Sequence, residues 1–220
     1  MALECAASAG ELRHRLRRFD VRAIETAGRR RAAVALTLTE EGHGAEVNGL
    51  PRHEQWSKAP AVLLTRRAAG LRSHAGQWAM PGGGIDADET AEQAALRELA
   101  EEVGLALTAD AVLGRLDDYA TRSGYVITPV VVWGGAARDV RANAAEVASI
   151  HRITLRELER PDAPLLNLVR GAEHPVLRMP IGHGWIAAPT AAFLYQFREW
   201  CLLDRATRVA HFDQPAFAWR

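Results

Sequence analysis

The chain reads as an α/β protein, and three features say so. Apolar, strand-like segments lie at 31–39, 61–65 and 125–133. A strongly patterned helix over 90–104 stands between them, and a second apolar helix opens near residue 190. With 220 residues, one domain with a well-developed core is expected and two full domains would be cramped.

Taken in order, residues 1–30 form a helical leader, made basic and amphipathic by the arginines between Arg13 and Arg18. Residues 31–39 alternate and are rich in Ala, Val and Leu, which suits a strand. From 40 to 60 the composition shifts to Gly, His, Asn, Pro and charge, so this stretch is expected to be an inserted surface loop. Residues 61–65 are a second, buried strand. Thr90 with Gln93 three positions on reads as a capping box, and Gly104 falls where a left-handed C-terminal cap would end that helix. Residues 111–121 and 125–133 read as a hairpin-like pair turning at Gly124. A strand at 147–155 and a short helix at 156–160 follow. Pro189 suits the first turn of a terminal helix running to about Leu203, with Phe193, Phe197 and Trp200 facing inward. The domain is thus expected over 31–205, with 206–220 as a tail.

Composition narrows the function classes. Twenty-seven basic and 27 acidic residues cancel, so bulk charge draws the chain to neither nucleic acid nor an anionic membrane. Cys5 and Cys201 are too few for a disulfide framework, and no metal-type Cys/His spacing occurs, which favours a reducing, cytoplasmic setting. No apolar run of about 18 residues is present, and the N-terminus lacks the apolar core of a secretory signal. Glu4 and Glu11 count against a mitochondrial presequence.

The chemistry concentrates between Gly83 and Leu105. At about 100° per residue, Glu98, Glu101 and Glu102 share one part of the helix surface, while Leu96, Leu99 and Val103 take a face that can pack inward. Like charges so close repel and raise one another's pKa values unless a divalent cation lies among them. Carboxylates with a backbone carbonyl suit a hard ion, Mg²⁺ or Mn²⁺. The turn Pro81-Gly82-Gly83-Gly84 has no side chains in the way, so a carbonyl can reach a metal and amides can approach phosphate. A solvated acidic face is the plainer reading of such a cluster taken alone.

Spacing changes that reading. Gly83, five residues, Glu89, seven residues and then Arg97-Glu98-Leu99-Ala100-Glu101-Glu102-Val103-Gly104-Leu105 resembles the Nudix box at every defined position. The resemblance implies the Nudix fold, an α/β/α sandwich on a mixed β-sheet, and hydrolysis of a nucleoside diphosphate joined to another group. By position it implies that Glu98 and Glu102 are the principal metal ligands, with Glu101 and the Gly83 carbonyl assisting. It also implies that Arg97 and Glu89 pair to hold the loop to the helix.

A second motif lies upstream. Leu63, Leu64, Thr65, Arg67, Ala68, Arg72, Gly76, Pro81, Gly82 and Gly83 resemble the motif that accompanies the box in coenzyme A pyrophosphatases, with Met80 where that group usually has Phe. Arg67 and Arg72 are permanently charged forks suited to the phosphates of a 3′-phosphorylated ADP moiety, or else members of ordinary surface ion pairs. His74 touches a phosphate or the adenine, or is a structural histidine. Trp78 stacks on a base or fills the core. In the segment 143–158 the Glu-Val pair is similar to that group's, which makes Glu146 a candidate to complete the metal site or orient water; the general base is Glu98 or Glu146. The expected reaction is cleavage of the diphosphate of coenzyme A or acyl-CoA to 4′-phosphopantetheine and adenosine 3′,5′-bisphosphate. Two alternatives stay open. The run Gln77 to Pro81 resembles the commoner Nudix loop, which points to ADP-ribose or another nucleoside diphosphate derivative, and a non-catalytic nucleotide-binding module is the third reading. A small-molecule partner is expected. Phe212, Phe217 and Trp219 either seal a homodimer or cover their own core.

Overall fold

A computed structural model describes residues 8–71, 74–168 and 173–215. Its centre is a mixed sheet built on β1 (Arg30–Gly44), β2 (Arg52–Arg67) and β7 (Tyr125–Gly135). β1 lies antiparallel to β2 but parallel to β7, and the sheet order runs from β3 (Trp78–Ala79) through β2, β1 and β7 to β5 (Val112–Arg115). The short strands β4 (Gly82–Gly84) and β6 (Tyr119–Ala120) join it, as does β8 (Val147–Thr154), which pairs with β2.

The period-two alternation of the central strands decides the layers. Ala33 and Ala35 of β1, Leu63 of β2 and Val130 and Val132 of β7 point to one face, where α2 (Ala91–Val103) covers them with Ala91, Ala94, Ala95, Leu99 and Val103. Their neighbours Leu36, Leu38, Val62, Leu64 and Val131 point to the other face. There they meet α1 (Ala9–Arg17), α4 (Thr190–Phe197) and a small three-stranded sheet of β9 (Leu165–Asn167), β10 (Val176–Ile181) and β11 (Gly184–Ala187). The result is the expected α/β/α sandwich on a mixed sheet. α2 begins with the predicted Thr90–Gln93 capping box and ends on Gly104 at φ 69°.

Several elements differ from the sequence-based expectation. Residues 40–60 are not an inserted loop: β1 and β2 continue through most of that range, and only 45–51 connects them. Its glycines mark β-bulges, with register shifts between Glu40 and Gly42 and between Gly42 and Gly44. The polar side chains pair across the strands, with Ser57 Oγ donating to Glu41 at 2.7 Å and Trp56 Nε1 donating to Glu40. Only Ala9–Arg17 of the described leader is helical. The predicted 111–121 strand is broken into β5 and β6, and the small second sheet had no periodic signature. A four-residue helix, α3 (Leu155–Leu158), follows β8. Pro189 precedes α4 rather than sitting inside it, and the helix continues as a π turn over Arg198–Leu202. Phe193 and Phe197 are buried as expected, while Trp200 packs against Phe19 and donates to the Arg15 carbonyl at 3.0 Å. Phe212 packs on the core; Phe217 and Trp219 lie outside the described residues. Among those described, no helix is long and apolar enough to cross a membrane.

The break between β5 and β6 has a cause. Asp117, 2% exposed, accepts from the Arg22 amide (2.8 Å), Gln196 Nε2 (2.8 Å) and Arg208 Nη1 (2.8 and 3.0 Å), so one carboxylate joins the leader, α4 and the C-terminal segment. Asp118 accepts from the Ile24 amide at 3.0 Å and Thr128 Oγ1 at 2.7 Å. Removing a buried acceptor of this kind strands its donors. Asp117→Ala is expected to cost about 2–3 kcal/mol in urea denaturation; a loss below about 0.5 kcal/mol would show that the joint is not structural.

Candidate active site at the glycine turn

Three structural facts bring the predicted residues together. First, β4 pairs antiparallel with β1, Ala33 opposite Gly83 and Val34 opposite Gly82, which lays the glycine turn across the sheet beneath α2. Second, the loop after β7 runs back along the end of α2, where the Arg141 amide donates to the Val103 carbonyl (2.9 Å) and the Asn143 amide to the Glu102 carbonyl (2.8 Å). Third, β8 then pairs with β2, and the Ala68 amide donates to the Glu146 carbonyl at 2.8 Å, which sets Glu146 beside Arg67.

Space rather than φ restricts two of these glycines, Gly82 against backbone and Gly83 against the tip of the Glu98 side chain. A Cβ on Gly82 would lie 2.4 Å from the Ala33 carbonyl oxygen, and one on Gly83 would lie 2.2 Å from Glu98 Oε1. The Glu98 carboxylate therefore rests directly on the Gly83 backbone. Glu102, 3% exposed, sits deeper. Burial first, then the charges of Glu98 and Glu146, push its pKa up to about 8, against the opposing pull of Arg67 and a backbone hydrogen bond from Gly82. Burial also raises Glu98, opposed by Arg97.

Arg97 is the hub of the exposed side. Its guanidinium donates to Glu89 at 2.8 and 3.1 Å, to Glu98 at 2.7 Å, to Glu101 at 3.2 Å and to the Gly84 carbonyl at 3.0 Å. The Arg97–Glu89 pair is the one expected from the sequence. Hydrogen bonds to Glu89 and then Glu98 hold Arg97 firmly charged, and the same contact lowers Glu89.

Among the described residues no three His, Cys, Asp or Glu side chains form a ready-made cation cage, because Glu98 and Glu101 turn toward Arg97. The donor set nevertheless fits a hard divalent ion. Glu102 is a buried carboxylate whose neighbours Glu98 and Glu146 are themselves acidic, so its ionised form calls for an added positive charge.

On the far side of the glycine turn a cleft of about 520 Å³ opens. Ala32, Val34 and Ile127 make its floor, Gly82 to Gly84 one wall, and Arg67, His74, Gln77 and Trp78 the other. The Arg67 Nε is buried and has no hydrogen-bond partner among the described residues. Burial, then the Arg67 charge, lowers the pKa of His74, which favours the neutral ring. Trp78 borders the cleft, but Arg66 stacks on it at 3.9 Å and His151 meets it edge-on at 4.9 Å, so its role is closer to packing than to a free platform. Arg72 lies outside the described residues. Sequence reasoning missed Arg30, Tyr125, Thr190 and Gln214, which also line the cleft; they arrive from separate elements and carry no local motif.

The family model for the NUDIX domain matches residues 29–168, more than half of the chain. The chain belongs to the NUDIX family. Its Nudix box occupies β4, the following turn and α2, and the layers described above are the Nudix fold. It is 44% identical over 99 residues to a protein from Photorhabdus laumondii described as Uncharacterized Nudix hydrolase NudL; that match covers 44% of this chain and 53% of the relative. The chain thus spans about half the length of the curated relatives it matches. Among solved structures it is similar to the MutT protein of Methanosarcina mazei Go1, at 20% identity and TM-score 0.43, covering 64% of this chain and 83% of that one. It is also similar to the NUDIX domain of Shewanella oneidensis NrtR complexed with ADP ribose, at 23% identity and TM-score 0.40, covering 60% and 78%.

The glycines of the box separate by what surrounds them. A Cβ on Gly82 would strike backbone, whereas Gly84 has nothing within 4 Å of that position. Gly82→Ala is expected to cost about 2–3 kcal/mol and Gly84→Ala under about 0.5 kcal/mol in chemical denaturation. Equal losses would mean that close approach to β1 does not limit the turn.

Proposed function

We propose that this Nudix protein is a metal-dependent hydrolase that cleaves the diphosphate of coenzyme A or an acyl-CoA. Water oxygen bonds to one phosphorus while the bridging P–O bond breaks, giving 4′-phosphopantetheine, or its acylated form, and adenosine 3′,5′-bisphosphate. The observation that carries this reading is Arg67: a guanidinium with an unpartnered buried donor, lining the same cleft as the glycine turn over Glu98. An anion entering that cleft supplies the missing acceptor.

In this reading Glu98 and Glu102, assisted by Glu101 and the Gly83 carbonyl, hold Mg²⁺ or Mn²⁺. When bound, such an ion neutralises the diphosphate and makes a coordinated water more acidic. Arg67, the Gly82 and Gly83 backbone and Arg72 bind the phosphates, and neutral His74 donates or accepts one hydrogen bond at the cleft wall. Arg97 keeps the turn fixed to α2 by holding Glu89, Gly84 and Glu98 together. Glu98 or Glu146 accepts the proton from water; burial raises the Glu98 carboxyl, which suits it to that role. The absence of a disulfide framework supports a cytoplasmic setting.

The test is incubation of the protein with coenzyme A, acetyl-CoA, ADP-ribose and NADH, each with Mg²⁺ and with Mn²⁺, and mass spectrometry of the products. The expected products are those named above, with coenzyme A or acetyl-CoA turned over fastest. Faster cleavage of ADP-ribose would move the substrate to the second reading, and binding without turnover to the third. Glu98→Gln and Glu102→Gln are expected to lower turnover roughly 10³-fold or more with the circular dichroism of the fold unchanged. Wild-type turnover in both would remove the assigned roles. Glu146→Gln, compared with Glu98→Gln in the pH profile, tells which of the two accepts the proton.

A further inference from the structure

The cleft has a second cationic end. Along β1, Arg30, Ala32 and Val34 share the face that floors the cleft, and Ala32 is opposite Gly84 of the glycine turn. Arg30 is therefore about 7 Å further along the strand than that turn, on the same face. It pairs in register with Tyr125 of β7, and its guanidinium carbon lies over the Tyr125 ring, 4.1 Å from the centroid. Among the described residues its side chain has no carboxylate or carbonyl partner. The cation–π contact leaves the guanidinium N–H donors without a carboxylate or carbonyl partner at the border of the cleft. Two hydroxyls border the same rim: Thr121 Oγ1 and Ser123 Oγ, 3.1 Å apart, both on residues that line the cleft. Thr121 Oγ1 is engaged by the Tyr125 amide and carbonyl, so an arginine without an acidic partner beside the Ser123 hydroxyl is what remains, and that is the chemistry of a phosphomonoester contact.

We infer that Arg30, seated on Tyr125 beside Ser123, binds a phosphomonoester that the substrate carries on its ribose, apart from the diphosphate. The pair thereby selects 3′-phosphorylated nucleotides over those with a free 3′-hydroxyl. The inference rests on the proposal that the diphosphate lies between Arg67 and the glycine turn. The offset between Arg30 and that turn matches the reach across one ribose and its substituents.

The test compares kcat/KM for coenzyme A and for 3′-dephospho-coenzyme A in the wild type, Arg30→Gln, Ser123→Ala and Arg67→Gln. The wild type is expected to prefer coenzyme A. Arg30→Gln is expected to lower the ratio of the two kcat/KM values by about 10–100-fold, chiefly through KM for coenzyme A, as loss of a charged hydrogen-bonding pair should. Ser123→Ala lowers the ratio less. Arg67→Gln lowers both substrates together and leaves the ratio in place. If Arg30→Gln reduces both equally, or neither, the subsite is wrong while the hydrolase reading stands. If the wild type cleaves neither compound, both proposals fall.

Discussion

The missing side chain of Gly82 lets the glycine turn pair closely with strand β1, and the site depends on that contact. Gly82 lets the turn lie against the Ala33 carbonyl, and Gly83 lets the Glu98 carboxylate rest on the backbone of the same turn. A Cβ on Gly82 would strike the backbone of β1, whereas one on Gly83 would push the end of the Glu98 side chain off the turn. Ala91, Ala94 and Ala95 answer this on the helix, and Ala33 and Ala35 on the strand, since small residues are what a close approach leaves room for. The carboxylates are thus placed by core packing, and their chemistry is inherited from it.

Such packing creates an electrostatic problem that two arginines divide. Arg97 gathers Glu89, Glu98 and Glu101 on the exposed side, where solvent screens part of the repulsion. On the buried side, Arg67 opposes the Glu102 charge but donates no hydrogen bond to it, and Glu102 stays close to half protonated near pH 8. A helix face with one well-paired rim and one under-compensated interior is stable only because the rest of the fold holds it closed. The buried end is where an added cation gains most, because there it replaces repulsion instead of solvent.

Much of this was legible in the sequence, for reasons specific to each residue. The capping box, the Gly104 cap and the apolar face of α2 are local rules, and the structure follows them because no tertiary contact opposes them. Glu98, Glu101, Glu102, Arg97 and Glu89 fall within eighteen positions of Gly84, so their spacing already encodes their proximity. The outer halves of β1 and β2 were illegible because their stability comes from cross-strand polar pairs and glycine bulges, which look like loop composition when read along one strand. The split of β5 from β6 was hidden for a related reason. Asp117 and Asp118 interrupt an apolar run to meet groups nearly a hundred residues away on either side, and no window sees them. Arg30 and Tyr125 become neighbours only through parallel register across ninety-five positions.

The region matched by the family ends at residue 168, yet the cleft does not. Pro189, Thr190, Phe193 and Gln214 line it from α4 and the C-terminal segment, and Thr190 Oγ1 donates to the Trp78 carbonyl on the opposite wall at 3.3 Å. The carboxylates and the glycine turn lie inside the matched segment, whereas part of the lining of the cleft lies outside it. This division explains how one scaffold can keep a phosphate-handling centre while changing what is attached to the phosphate. It also assigns the Asp117 joint a second consequence. By tying Gln196 of α4 and Arg208 of the C-terminal segment to the β5–β6 connection, that joint fixes the elements that wall the cleft relative to the sheet that floors it. The shape of the cleft is therefore coupled to the buried Asp117 carboxylate and its partners on α4 and the C-terminal segment.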